Sequence, residues 1–198
     1  MKLEAGKKNV KKASKMPNPI EQLKCLPAKI ETRDGEPLSL EFYWATHLND
    51  AQHLWIFELF CQNMKEMYTR SNWGFEENSK KHELQATTAR YIIVKNSKKK
   101  HIGYTHYRFD MDNDVPVVYC YELQVDKSYQ NKGIGSLLLQ ILENLAKNSG
   151  MEKVMATVFA FNAPSLGFFH RNGFSTDLTC PDPEDDCDYL ILSKPVTK

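Results

Sequence analysis

Gln130-Asn131-Lys132-Gly133-Ile134-Gly135 stands between a strand-like run ending at Val125 and a leucine-rich helical run, and its reading decides the fold. Glycines at 133 and 135 let a backbone approach a ligand closely. A helix that begins there aims unpaired N–H groups and a partial positive charge at an anion. The run therefore reads as a cradle for a pyrophosphate, although the same glycine pair also serves as a plain strand-to-helix turn. It is not a Walker loop, which needs G-x-x-x-x-G-K-[ST], nor a dinucleotide fingerprint, which needs a third glycine where Leu138 stands. What remains is Q-x-x-G-x-G.

Working outward, Ile134, Leu137, Leu138, Ile141, Leu142 and Leu145 recur at helical spacing and predict an amphipathic helix ending near Gly150. A strand at about 153–160, a short helix around 164–171, a stop at Gly173-Phe174 and strands near 174–179 and 188–194 follow. Upstream, residues 38–44 read as a first strand and about 50–69 as a helix with Leu54, Phe57, Cys61, Met64 and Tyr68 on its apolar face. A less regular stretch runs on from Ser71, and strands at about 90–95, 101–109 and 116–125 form an antiparallel meander. Asp110, Asp112 and Asp114 in the last turn imitate a calcium loop, but Val115 stands where that loop needs glycine. This order predicts an α/β protein with a mixed, mostly antiparallel sheet flanked by helices.

A chain of 198 residues, 41% hydrophobic and 26% charged, fits one globular domain plus a tail. No apolar run approaches the roughly 18 residues of a membrane span, and the N-terminus lacks an apolar h-region, so an intracellular protein without membrane contact is expected. The five cysteines include no C-x-x-C pair, so free thiols are expected and no metal. The net charge of +1 hides an asymmetry: residues 1–15 hold six lysines against Glu4, leaving −4 for the remainder. Residues 1–19 are read as a basic, flexible or locally helical arm ending in a stiff linker at Pro17 and Pro19, with the domain over 20–198. Such an arm suits contact with nucleic acid, a ribosome surface or nuclear import factors, or is simply solvated. Asp182, Glu184, Asp185, Asp186 and Asp188 form a polar loop that can also attract a basic substrate.

With Asn162, Phe168-Phe169 and Gly173-Phe174 added to the glycine run, the chain over about 38–194 resembles the GNAT acetyltransferase superfamily. The resemblance implies acetyl-coenzyme A as cosubstrate. Its pyrophosphate would lie on Gln130, Asn131, Lys132, Gly133, Ile134, Gly135 and Ser136. Its pantetheine arm would run beside the backbone of Leu123, Gln124 and Val125, with Thr157 and Asn162 nearby. Leu166 stands where many relatives carry a tyrosine that protonates the leaving thiolate. A narrower likeness is carried by Met67-Tyr68, Ser71-Asn72-Trp73-Gly74-Phe75, Tyr107-Arg108-Phe109-Asp110, Tyr119-Cys120-Tyr121-Glu122, Thr157-Val158-Phe159 and Cys187-Asp188-Tyr189. These segments resemble NatD-type N-terminal acetyltransferases, which modify core histones whose mature N-terminus reads Ser-Gly-Arg-Gly. That likeness implies Glu122 as general base and Tyr68, Trp73, Asp110, Tyr119, Tyr121, Thr157 and Tyr189 around the substrate. It also implies histone tails as partners, possible ribosome association through the basic arm, no auxiliary subunit, and residence in cytoplasm and nucleus. A lysine side chain or small amine as acceptor, or a binding module without turnover, are the rival expectations.

An α-amine with a pKa of about 7.7–8.0 loses its proton at pH 7 for about 1–1.4 kcal/mol, against about 4.6 for lysine, so a modest base suffices. A carboxylate such as Glu122 fits that demand. Strict alternation, however, puts Tyr119 and Tyr121 on one face of their strand and Glu122 on the other, and only a β-bulge brings all three into one pocket.

Overall fold

The computed structural model describes residues 2–196. Its centre is a seven-stranded sheet in the order β1-β2-β3-β4-β5-β7-β6. The strands are β1 (Ser39–Trp44), β2 (Arg90–Lys95), β3 (His101–Asp112), β4 (Val115–Val125), β5 (Lys153–Phe159), β6 (Ser175–Thr176) and β7 (Tyr189–Pro195). All pairs are antiparallel except β4 with β5. The meander and the mixed sheet are as the sequence predicts, while the expected strand near 174–179 shrinks to β6. The helices are α1 (Lys2–Ala13), α2 (Pro19–Gln22), α3 (Asp50–Arg70), α4 (Glu77–Leu84), α5 (Ile134–Ser149) and α6 (Ala163–Arg171).

One face of the sheet carries α5, whose Ile134, Leu137, Leu138, Ile141, Leu142 and Leu145 are all buried. They pack with Ile92, Val94, Ile102, Val118 and Val154 into the larger core cluster. Gly150 closes the helix in the left-handed region at φ +78°, a C-terminal conformation that glycine adopts without steric penalty. The opposite face carries α3 and α4 over Tyr91, Ile93 and Tyr104.

Two expectations are corrected. On α3 the buried side chains are Gln52, Ile56, Leu59 and Phe60, and Leu54 is 57% exposed. Apolar residues surround much of this helix, so several faces satisfy a 3.6-residue period. The start set by the Asn49–Gln52 capping box and the bond from Tyr104 Oη to the Ile56 carbonyl accompany the face that packs. Of the flexible and locally helical alternatives for the lysine-rich segment the helix is found, and it packs on the domain instead of extending from it. Gly6 and Ala13 are buried, and a Cβ at Gly6 would meet the Pro116 ring at 3.2 Å. Val10 packs against the core, so Gly6, Val10 and Ala13 form a narrow stripe at i, i+4, i+7, interleaved with lysines. Arg90 fixes the connection: it stacks on Trp44 at 3.8 Å and donates to the Ser14 carbonyl at 2.8 Å, while Trp44 donates to the Pro17 carbonyl.

Candidate active site

The strands β4 and β5 pair only over Val117–Cys120 with Lys153–Ala156. Beyond that they part, and Leu123, Gln124 and Val125 keep β3 on one edge with no strand on the other. An extended ligand can add there as a strand does, because an edge without a neighbouring strand presents N–H and C=O groups, although the Val125 carbonyl already accepts from Asn63 and Gln130. At the mouth of the gap α5 begins on Gly133 at φ +89°, with no side chain capping it. The first amides of α5, at Ile134, Gly135 and Ser136, are therefore available to an anion. The Ile134 side chain is core, so its backbone alone can contribute. A Cβ at Gly135 would lie 2.8 Å from the Phe168 ring, so this glycine also lets α6 close against α5.

Gln130 braces the turn by donating to the Val125 carbonyl at 3.1 Å. Asn131 occupies the left-handed region at φ +62°. Lys132 accepts from the Arg33 amide through its carbonyl and sits over the Tyr129 ring. Asn162 is buried, caps α6 through Ser165 and lines the gap, so the helix-capping reading and the lining reading hold together. The uncapped helix start and the open β4 edge fit the coenzyme that the sequence motif implies.

A bulge is present, but it does not bring Tyr119, Tyr121 and Glu122 into one pocket: Tyr119 and Glu122 line different cavities and, of the three, only Tyr121 lines both. His106 faces Glu122 and Tyr107 faces Cys120, which leaves Tyr121 as the extra residue of β4. A cavity of about 350 Å³ is lined by Tyr68, Trp73, Glu83, Asp110, Met111, Asp112, Tyr119, Tyr121 and Thr157. A second, of about 80 Å³, lies in the strand gap and includes Glu122, Leu123, Gln124 and Asn162. Tyr68, Trp73, Tyr121 and Thr157 belong to both, so the two cavities meet there. Tyr119 hydrogen-bonds Thr157 across the diverging strands. Trp73 is half exposed and meets Tyr68 edge-on and Phe159 and Tyr189 at a tilt, with centroid distances of 5.1–5.9 Å, so it is not a core residue. Tyr189 lines neither cavity and touches Trp73. The turn bearing Trp73 is tied down where Asp188 accepts from the Asn72 amide at 2.6 Å.

Glu122 is 6% exposed, with Lys80 Nζ at 2.6 Å from Oε1 and Gln124 Nε2 at 2.7 Å from Oε2. Burial raises its pKa above the ordinary carboxylate value, and the Lys80 ammonium opposes that rise. For Lys80, burial pulls downward, but Glu122, Tyr68 and Glu83 outweigh it, so the ammonium stays charged. His106 lies stacked between Tyr91 and Tyr121 and accepts from Arg108 Nε at 3.1 Å. Burial, with Arg108 and Lys80 nearby, keeps it neutral.

Sequence reasoning missed Lys80, Glu83 and the helix that bears them. Seven of the eight residues of α4 are polar, leaving only Leu84 to mark a buried face. The one legible signal was the i,i+4 pair Glu77–Lys81. Among the described residues no group of three or more His, Cys, Asp or Glu is placed to hold a metal ion.

Comparison with known proteins agrees with this geometry. A model of the acetyltransferase (GNAT) family matches residues 48–174. A curated relative, YwnH of Bacillus subtilis (strain 168), which carries the name of a phosphinothricin acetyltransferase, is 40% identical over 53 residues. That match covers 27% of this chain, and the chain spans only 32% of that relative's length. PaiA N-acetyltransferase from Thermoplasma acidophilum, solved with coenzyme A, is 18% identical with a TM-score of 0.58, over 79% of this chain and 99% of that one. Arabidopsis thaliana Naa50, solved with the bisubstrate analogue CoA-Ac-MVNAL, is 17% identical with a TM-score of 0.55, over 79% and 97%. At such identities the solved structures speak for the fold alone.

Proposed function

We infer that this chain, which belongs to the acetyltransferase (GNAT) family, transfers an acetyl group from acetyl-coenzyme A to the free N-terminal amine of histones that begin Ser-Gly-Arg-Gly. The observation that carries this reading is the junction of the two cavities at Tyr68, Trp73, Tyr121 and Thr157, with Glu122 lining the inner one. Acetyl-coenzyme A supplies a thioester carbon open to attack. Gly133–Ser136 amides would hold its phosphates, and the outer edge at Leu123–Val125, with Asn162 opposite, would hold its pantetheine arm.

The acceptor enters from the larger cavity. Its walls are aromatic and hydroxylated at Tyr68, Trp73, Tyr119, Tyr121 and Thr157, and its rim carries Glu83, Asp110 and Asp112. Small Ser-Gly residues fit between such walls, and a carboxylate at the rim suits a guanidinium further along the peptide. Each oxygen of a carboxylate has two lone-pair sites, so Glu122 keeps acceptor capacity beside Lys80 and Gln124. It takes the amine's proton, directly or through a water, as nitrogen attacks and the thiolate leaves. Leu166 supplies no acid for that thiolate; a thiol pKa of about 8.5 makes departure feasible with water or helix-end amides. A ribosome contact would use the exposed Lys7, Lys8, Lys11, Lys12 and Lys15, and cytoplasmic and nuclear residence belongs to the same reading.

Mass spectrometry after incubation with acetyl-coenzyme A and a Ser-Gly-Arg-Gly-Lys-Gly peptide, beside its N-terminally blocked twin, tests the reading. One acetyl group on the free peptide and none on the twin is expected. Acetylation of the twin moves the assignment to a lysine side chain, and transfer to neither points to another amine or a binding role.

A further inference from the structure

Lys80 is a lysine 5% exposed on a helix whose other residues are mostly polar and outward. Its Nζ lies 2.6 Å from Glu122 Oε1, 2.8 Å from Glu83 Oε1 and 3.0 Å from Tyr68 Oη. An ammonium has three N–H donors and no acceptor, so these partners use it fully. The rings of Phe60 and Tyr68, at 4.4 and 4.8 Å, enclose it. Burying a long cationic side chain costs rotamer entropy and hydration, and an apolar replacement of such a pair is often neutral or stabilising. Stability alone is therefore a weak reason for the pair, and its place beside the cavity junction supplies a better one.

Two consequences follow from the geometry. Lys80 cannot accept a hydrogen bond, so the Tyr68 hydroxyl must send its own proton elsewhere, and Tyr68 lines both cavities. Lys80 is also the cation in direct contact with Glu122. Of the other groups around this carboxylate, Gln124 is a neutral donor, Glu83 is a like charge on α4, Tyr68, Tyr91 and Tyr104 face it from α3, β2 and β3, and the Cys120 thiol, which burial pushes up, lies beside it on β4. On β3, Arg108 donates through Nε to His106 and through Nη2 to the Glu83 carbonyl and lies over the Tyr121 ring, and His106 is neutral.

We propose that Lys80 is a positioning residue for acyl transfer: its ammonium keeps the Glu122 carboxylate ionised and turns the Tyr68 hydroxyl toward the junction of the two cavities. The proposal rests on Glu122 as the base.

The test follows the Glu122 carboxyl by ¹³C NMR through a pH titration of the full chain, as wild type, Lys80→Arg and Lys80→Met, alongside the pH profile of kcat/KM. An opposite charge this close shifts a carboxyl by about 1–3 units. Lys80→Met should therefore raise the Glu122 midpoint by about one unit or more and carry the acidic limb of kcat/KM upward with it. Acetyl-coenzyme A affinity should stay within about twofold, and Lys80→Arg should bring both midpoints back. A midpoint and limb that do not move in folded Lys80→Met overturn the proposal. Wild type is a test on its own, since Glu122 found protonated at pH 7 overturns it whether or not the variants fold. The titration needs no turnover, so transfer to an unexpected amine would sink the histone reading and leave this one standing. Normal histone-peptide transfer with an unmoved midpoint would do the reverse.

Discussion

Along the strand gap the coenzyme side is mostly backbone, the outer edge of Leu123–Val125 and the first amides of α5, with the Asn162 side chain beside them. Across the junction the facing groups are side chains, brought from α3, α4, β3, β4 and β5 to one cavity. A backbone site depends on where strands part and a helix starts, which glycines and the strand pattern dictate locally. A side-chain site depends on the register of several elements at once, and on one extra residue at Tyr121. The first should tolerate side-chain changes that avoid its glycines, whereas the second should respond residue by residue.

Glu122→Gln should show the largest effect, a fall in kcat of about 10²–10⁴-fold, because general-base catalysis is worth that much. Calorimetry should find coenzyme affinity nearly unchanged; joint loss of both would erase the division between the two sides. Gly135→Val should do the opposite. Its Cβ meets the Phe168 ring at 2.8 Å, and such overpacking costs about 1–3 kcal/mol. Thermal unfolding should register that loss and coenzyme Kd should rise, with peptide KM little altered.

This contrast governs what was legible. Gly133, Gly135 and the leucine spacing of α5 announced a helix start and a buried face within twenty residues of chain, and both are found. Leu54 was misread because α3 offers more than one apolar face, and the sheet beneath chose Ile56, Leu59 and Phe60. Gly6, Val10 and Ala13 were hidden by the lysines between them. Lys80 gave no signal, since a lysine among polar residues reads as solvated until Glu122 is placed against it.

Asp110→Asn sharpens the acceptor side at smaller amplitude. Asp110 is exposed, so water and salt screen its pairing with a peptide arginine to about 1 kcal/mol, or about fivefold in KM. The fivefold change should vanish for a peptide with alanine in place of that arginine, and kcat should hold.

The smallest effect concerns the rim. Lys153 bridges Asp177 at 2.6 Å and Asp112 at 3.8 Å, and Asp112 lines the acceptor cavity. Against the upward push of burial, hydrogen bonds from Lys153, Ser193 and Thr179 hold Asp177 well below the ordinary carboxylate range. A depressed folded-state pKa stabilises fully above the unfolded value of about 3.9 and is lost as pH falls below it. The Tm gap between wild type and Asp177→Asn should therefore be widest near neutral pH, begin to narrow as pH falls below about 4, and close only as pH passes through the lower folded-state value. A gap that persists in acid would show that shape, not charge, holds the rim.

By itself the sequence determined the elements with one strong local pattern: the α5 start at Gly133, its buried leucines, the meander and the chemistry a carboxylate at 122 can offer an amine. These follow from backbone geometry and spacing within single segments. Only the tertiary structure decided which face of α3 is buried, that α1 packs, that β4 and β5 part after Cys120 and Ala156, and that Tyr121 is bulged beside Glu122. It also decided that Lys80 lies against that carboxylate. Each of these is a choice between segments far apart in the chain, settled by the packing they share.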